Sequence, residues 1–533
     1  MMRLPRPRCF AALAVCSIAL LAALAPGFAS AASCPTTTGV KFAGLSQLKA
    51  WNKKLDDFGP RPTGSPNQKR YINWLDGQLR DVSGVKVTSL RYRFNRWLSK
   101  STSLHATLSG RNTNLAVAGP VPYSRVTGRH GVTAPLLHLP ADTPITAANS
   151  AGRIVVRDLV APSIKYGLFD LVSWFKYDPA GSIDPKADYK REWLNNQPSD
   201  DMKAADAAGA AGVIFVHELP RREIQGQYRP YDGIHWLTPG VHLGIDQGTR
   251  LEQAIDGGTA GLGHIVVRAQ QTKNATTRSI IGHLPGPGKR RIVVETHSDG
   301  MNAVWDNGNV PILAIAHYFA KLPKRCRPGP MEFLFTTAHL YQHLDPSQHG
   351  AGDSEYARVL DSDYDQGTVG LVLTLEHLGA RDYEAVPRGN GLPGLTLVRT
   401  NTTEPSTTFV SESDFLVNTL EQLIQARDVR RSLLMKGTAL ADNSHVPPYC
   451  SFGGEATPYE QHLIPSVGFV TSPWILFDPG YGLKSIDFRL LRQQTLVFND
   501  FLLRLRGASQ DAIAGAYTQY RQERAQGKPT CAP

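Results

Sequence analysis

Three short runs in the second half of the chain are apolar throughout, and each ends in a burst of polar residues. Ile292-Val293-Val294 leads into Thr296-His297-Ser298-Asp299, and Phe333-Leu334-Phe335 into Thr336-Thr337-Ala338-His339. Val369-Gly370-Leu371-Val372-Leu373 leads into Leu375-Glu376-His377. A strand that is apolar on both faces belongs inside a parallel sheet covered by helices. Helical patterns alternate with the runs over Val310–Leu322, Ser411–Ala426 and Arg489–Arg506. The predicted fold is therefore α/β, a mainly parallel mixed sheet with helices on both faces. In such sheets reactive groups gather beyond the carboxyl ends of the strands. The polar clusters fall there.

The rest of the chain has a different texture. Residues 45–95 read as helix then strand: Tyr71, Ile72, Leu75 and Leu79 recur at helical spacing within Gln68–Leu79, and GVKVTSLRYRF alternates as a strand does. Across 120–270, short β-like runs such as Arg153–Asp158 and Gly212–Val216 are separated by Pro, Gly and Asp, with one Ala/Gly-rich helix at Lys203–Gly209. That pattern predicts a small β-rich module over 120–270, set between 32–119 and 271–533.

Arg3, Arg6 and Arg8 precede an apolar run from Phe10 to Ala25 and the small triplet Ala29-Ser30-Ala31. This is the pattern of a secretory signal over residues 1–31, and it predicts a secreted protein with no membrane anchor once the signal is cut. Cleavage takes away three arginines and no acid, lowering the net charge from +11 to +8. No concentrated basic block or aromatic-basic motif is present, which argues against nucleic acid; attraction to anionic cell walls or surfaces suits the mild excess better. Four cysteines remain, Cys34, Cys326, Cys450 and Cys531. In an exported chain they predict two disulfides among three pairings, with Cys34–Cys531 and Cys326–Cys450 favoured.

Imidazole and carboxylate together suit a borderline metal such as zinc, and His297, Asp306 and Glu376 offer that set. Asp299, two residues beyond His297, is placed to hold the ring by its far nitrogen. His339 and His343 stand four apart and imitate H-E-x-x-H, but Leu340 occupies the glutamate position and Pro346 ends any helix early. His377 reads as a packed neighbour or an additional ligand, and Glu455 in Gly453-Gly454-Glu455 as a further acid for the site. No G-x-S-x-G elbow, phosphate-binding G-x-x-x-x-G-K or dinucleotide fingerprint occurs.

The run from Val293 to Phe319 resembles the zinc aminopeptidase family of secreted bacterial aminopeptidases, carboxypeptidase Q and glutamate carboxypeptidase II. The resemblance rests on His297-Ser298-Asp299 after a strand and Asp306-Asn307-Gly308-Asn309 at a helix start, with Val310 at the motif's final glycine. Phe58–Tyr71 is similar to the family's G-P-R-x-x-G-S element, and 120–270 to the protease-associated domain often inserted in these enzymes. The resemblance implies one metal on His297, Asp306 and Glu376, the last replacing the usual aspartate. It implies loss of most of the second metal site: His339-Leu340 stands at the family's E-E pair, and Ile475-Leu476-Phe477-Asp478 carries no late histidine.

The function so implied is secreted, zinc-dependent cleavage of a peptide or amide bond by one activated water, with His339 relaying the proton and Asp299 orienting His297. A catalytically inactive binding protein is the alternative, since transferrin receptor keeps this architecture without peptidase activity. Hydrolysis of a non-peptide amide or ester at the same metal is a third reading.

Overall fold

The computed structural model describes residues 33–38, 41–341, 352–437 and 452–530. The three apolar runs are strands Arg291–His297, Met331–Thr336 and Val369–Leu375, joined by Ser466–Val470 into a parallel core. Side chains alternate across this core. Ile292, Val294, Phe333, Phe335, Leu371 and Leu373 enter the cluster that holds helix Asn309–Ala320. Val293, Leu334 and Val372 enter another with Tyr356, Ala357 and Leu360 of helix Gly352–Asp365. Two-sided burial explains the unbroken apolar runs. The fold is mixed α/β with a large, mainly parallel sheet flanked by helices.

Further strands, mostly in antiparallel pairings, complete the sheet. On one side lie Ala260–Leu284 and Lys86–Leu108; on the other, Ser406–Val410, Ser432–Lys436 and Ser173–Tyr177. The long pair Lys86–Leu108 and Ala260–Leu284 continues into a second core, where strands 132–139, 154–159, 212–217 and 240–243 surround Ile154, Val213, Phe215 and Val241. Helix Gln197–Ala208 packs there and ends at Gly209, whose φ of +66° no β-carbon obstructs. Residues 163–194 lie against the main body. There Arg191 meets Asp382 and Glu404 at 2.7 Å each, and Ser173–Tyr177 extends the main sheet.

Helix ends follow local chemistry. Ser65 accepts from the Gln68 N–H to start Pro66–Arg80, Ser413 caps Asp414–Ala426, and Asp487 caps Phe488–Arg504. Residues 33–36 form a separate short unit containing Cys34. Cys34 and Cys326 are both in disulfides. Cys450, Cys531, His343 and the proposed signal lie outside the described residues. No helix among the described residues is long and apolar enough to cross a membrane.

One buried acid gives a stability test away from the site. Glu460, in helix Thr457–Gln461, accepts from the Tyr517 hydroxyl at 2.9 Å. Burial pushes its pKa up to about 8 against the opposing pull of that bond. A carboxyl raised in the folded state contributes stability that is full below the unfolded value and lost as pH rises through the folded one. Denaturation midpoints should therefore fall from about pH 4.5 to about pH 8, and Glu460→Gln should flatten that fall; an unchanged slope excludes Glu460 as its source.

Candidate metal centre

His297 ends strand Arg291–His297 with no exposed surface. Its Nδ1–H donates to the Asp299 carbonyl at 2.7 Å. Burial, then the neighbouring His339 and His377, hold its pKa well below the usual histidine range, so the ring is neutral. Nε2 is left buried with no hydrogen-bond partner. It lies 3.7 Å from Glu376 Oε2.

Glu376 and His377 follow strand Val369–Leu375 directly. His377 takes a left-handed φ of +56°, uncommon for a residue with a β-carbon. Its Nδ1–H donates to the Thr471 carbonyl at 2.6 Å, and the Thr471 hydroxyl returns a bond to the His377 carbonyl at 2.8 Å. Burial lowers its pKa to about 3. The His377 Nε2 is also buried without a partner, 3.8 Å from the same Glu376 Oε2. Asn307 secures this turn by donating to the Leu378 carbonyl and accepting from the Leu378 N–H, at 2.7 and 2.8 Å.

Glu376 is aimed by its other oxygen. Oε1 accepts from the Glu455 N–H at 2.6 Å, which turns Oε2 toward the two imidazoles. The approach requires glycine before Glu455: Gly454 has φ +67°, and a β-carbon there would overlap Oε1. The Glu455 carboxylate meets His339 Nδ1 in a short ion pair. Burial alone would lower the His339 pKa, but Glu455, with Glu376 and Asp299 behind it, raises it to about 10. His339 is thus an imidazolium at neutral pH. It stacks on His297 with ring centroids 4.0 Å apart and on Tyr231 at 5.5 Å.

Two expected roles change. Asp306, expected as a ligand, is buried and engaged at both oxygens by Arg61, Nε to Oδ2 at 2.9 Å and Nη2 to Oδ1 at 2.6 Å. A guanidinium fork occupies the lone pairs a metal would take, and Asp306 belongs to neither donor cluster at this centre. Asp299 does hold His297 by its far nitrogen, but through its main-chain carbonyl. Its carboxylate turns away to the Thr63 hydroxyl and to the N–H groups of His339 and Leu340. Burial raises that carboxyl to about 6 despite these donors.

The donor groups that converge are His297, Glu376 and His377, and alongside them His297, His339 and Glu455. The first fits a divalent metal best: two neutral nitrogens and one carboxylate oxygen, all buried. In the second, the His339–Glu455 pair already consumes a nitrogen and a carboxylate. Arg61 and Thr471 were not picked out from sequence as members of the site. Arg61 stands in the G-P-R element and could have been suspected there; a carbonyl such as that of Thr471 leaves no signature.

No protein family matches the sequence, and no curated protein does. Solved structures do match the fold. A zinc aminopeptidase from Bacillus subtilis is 16% identical, with 90% of this chain and 98% of that chain covered and a TM-score of 0.58. An aminopeptidase from an Aneurinibacillus strain is 14% identical over 86% and 93%, with a TM-score of 0.53. A peptidase precursor from Shewanella amazonensis is 12% identical over 87% and 98%, with a TM-score of 0.58. At these identities the likeness is one of fold.

Two substitutions test the geometry. Arg61→Met should strand the Asp306 charge and destabilise the protein by about 3–5 kcal/mol. Adding Asp306→Leu should recover a large part in a denaturant titration; no recovery means the two do not act as a pair. Gly454→Ala should turn Glu376 out of place and weaken metal binding by at least tenfold in a competition titration, while Gly453→Ala serves as the neighbouring control for general loop damage.

Proposed function

We propose that this protein is an exported zinc-dependent hydrolase of peptide or amide bonds, with a single ion held by His297, His377 and Glu376. The observation that carries the reading is the approach of two neutral, buried and unpartnered Nε2 atoms to one oxygen of Glu376. Three protein donors with a position left open are what a catalytic zinc uses. When bound, such an ion polarises a carbonyl and lowers the pKa of water.

The chain's own groups supply the rest. The Asp299 and Thr471 carbonyls take the Nδ1 protons, so both rings present nitrogen lone pairs at neutral pH. Glu455 orients Glu376 through its N–H and binds His339 through its carboxylate. His339 Nδ1 is occupied by that pair, which leaves Nε2 to hand a proton to a departing amine. The proton relay expected of His339 would thus be carried by a histidine–glutamate pair acting as proton donor. Arg61 already neutralises Asp306, so that carboxylate calls for no further cation, and this supports a single ion at the imidazole cluster. The zinc aminopeptidases with this fold support the metal and the bond class. The N-terminal pattern supports export, and the β-rich texture of 120–270 supports a protease-associated module beside the cleft.

Elemental analysis of purified protein should find one zinc per chain, removed by chelator together with amidase activity and restored with it. His377→Ala should reduce zinc affinity at least tenfold, whereas Asp306→Asn should leave the stoichiometry at one. Two ions per chain, or zinc lost with Asp306→Asn and kept with His377→Ala, would overturn the assignment. A metal-free protein inert on aminoacyl and peptidyl chromogenic substrates would favour a binding protein on this scaffold. His339→Gln should lower kcat by roughly 100-fold or more while zinc remains bound.

A further inference from the structure

Next to the donor cluster lies a cavity of about 750 Å³. His339, Glu376 and His377 stand in its wall, which is otherwise built from groups such as Phe169, Phe409, Leu433, Met435, Phe452 and Phe477. Its described lining contains no lysine, arginine or aspartate, and its one glutamate is Glu376. An apolar cavity of roughly 150 Å³ accommodates a benzene ring, so one amino-acid side chain would leave most of this space empty. Its size suits a whole ligand.

A free α-ammonium beside the metal donors would need a carboxylate counter-charge in this dry setting. Glu455 is taken by His339, and Glu376 is held between the Glu455 N–H and the two imidazoles. The mouth is apolar too: Leu168 is 49% exposed, Leu171 63% and Trp193 39%, all on the segment that walls the cavity. Exposed apolar groups at a pocket mouth mark a surface that meets an apolar partner.

We propose that the substrate is an N-acylated amphiphile whose long hydrocarbon chain lies in this cavity, its amide carbonyl at the donor cluster and its polar amine end facing out. The proposal rests on reading the cluster as a hydrolytic centre. Water adds across the C–N bond: its hydroxyl goes to the acyl carbon to give a fatty acid, and its proton to the departing nitrogen to give an amine. Nothing else is consumed.

Binding and turnover are measured separately. On metal-stripped full-length protein, calorimetry should show N-dodecanoylglycine binding at least a hundredfold tighter than N-acetylglycine, well within the roughly fourfold per buried methylene that apolar transfer allows. Thr407→Arg inside the cavity and Leu168→Asp at its mouth should each weaken dodecanoyl binding tenfold or more; the second sits on the surface, where folding tolerates it. With zinc restored, kcat/KM should rise at least a hundredfold from the acetyl to the dodecanoyl amide. Equal affinity for the two chains, or faster cleavage of leucine p-nitroanilide than of the dodecanoyl amide, overturns the proposal and leaves the hydrolase reading standing. Chain binding without turnover of any amide by the zinc-loaded protein ends both.

Discussion

A carboxylate with no access to water must meet a cation or give up its charge, and around Asp306 that demand organises the centre. Arg61 answers it with both arms of the fork, from a segment 245 residues earlier in the chain. The same guanidinium donates to the Asn302 carbonyl at 2.9 Å and lies over the Tyr71 ring at 5.3 Å. Two residues on, Thr63 meets the Asp299 carboxylate, and Gln68 reaches Thr337 at 2.9 Å. The N-terminal element is thereby sewn to the ends of two central strands. Loss of one partner in such a buried pair is far more damaging than the pair itself is stabilising.

Beside that pair, burial keeps the His297 and His377 imidazoles neutral. Each is aligned by a main-chain carbonyl, a partner that cannot be titrated away. Glu376 is aligned by a main-chain N–H. The candidate donors are therefore steered by backbone, and backbone is placed by the sheet. These side chains are in this sense extensions of strands Arg291–His297 and Val369–Leu375, which pair in parallel.

Much of this was legible in the sequence. Runs buried on both faces have a composition that solvent-facing strands lack, so the sheet and the clusters at its strand ends could be read from Ile292 to Glu376. His297 and Glu376 do come together. Which neighbour completes a set is a different matter, because it depends on contacts far apart in sequence. On paper Asp306 is the expected ligand, and His377 reads first as a packed neighbour. Only the distant Arg61 removes one, and only a left-handed turn with the Thr471 carbonyl presents the other. The raised pKa of His339 was hidden for the same reason: Glu455, more than a hundred residues away, decides it.

The strand Ser173–Tyr177 has a mechanical meaning. Hydrogen-bonded to Ser432–Lys436, it makes the wall over the cavity a continuation of the sheet, and Arg191 bolts the neighbouring stretch to Asp382 and Glu404. A wall fastened in this way cannot swing aside like a flap without tearing a strand from its ladder. Under the proposed reading, a slender and flexible chain would enter end-first past the exposed Leu168 and Leu171, leaving that strand in its ladder.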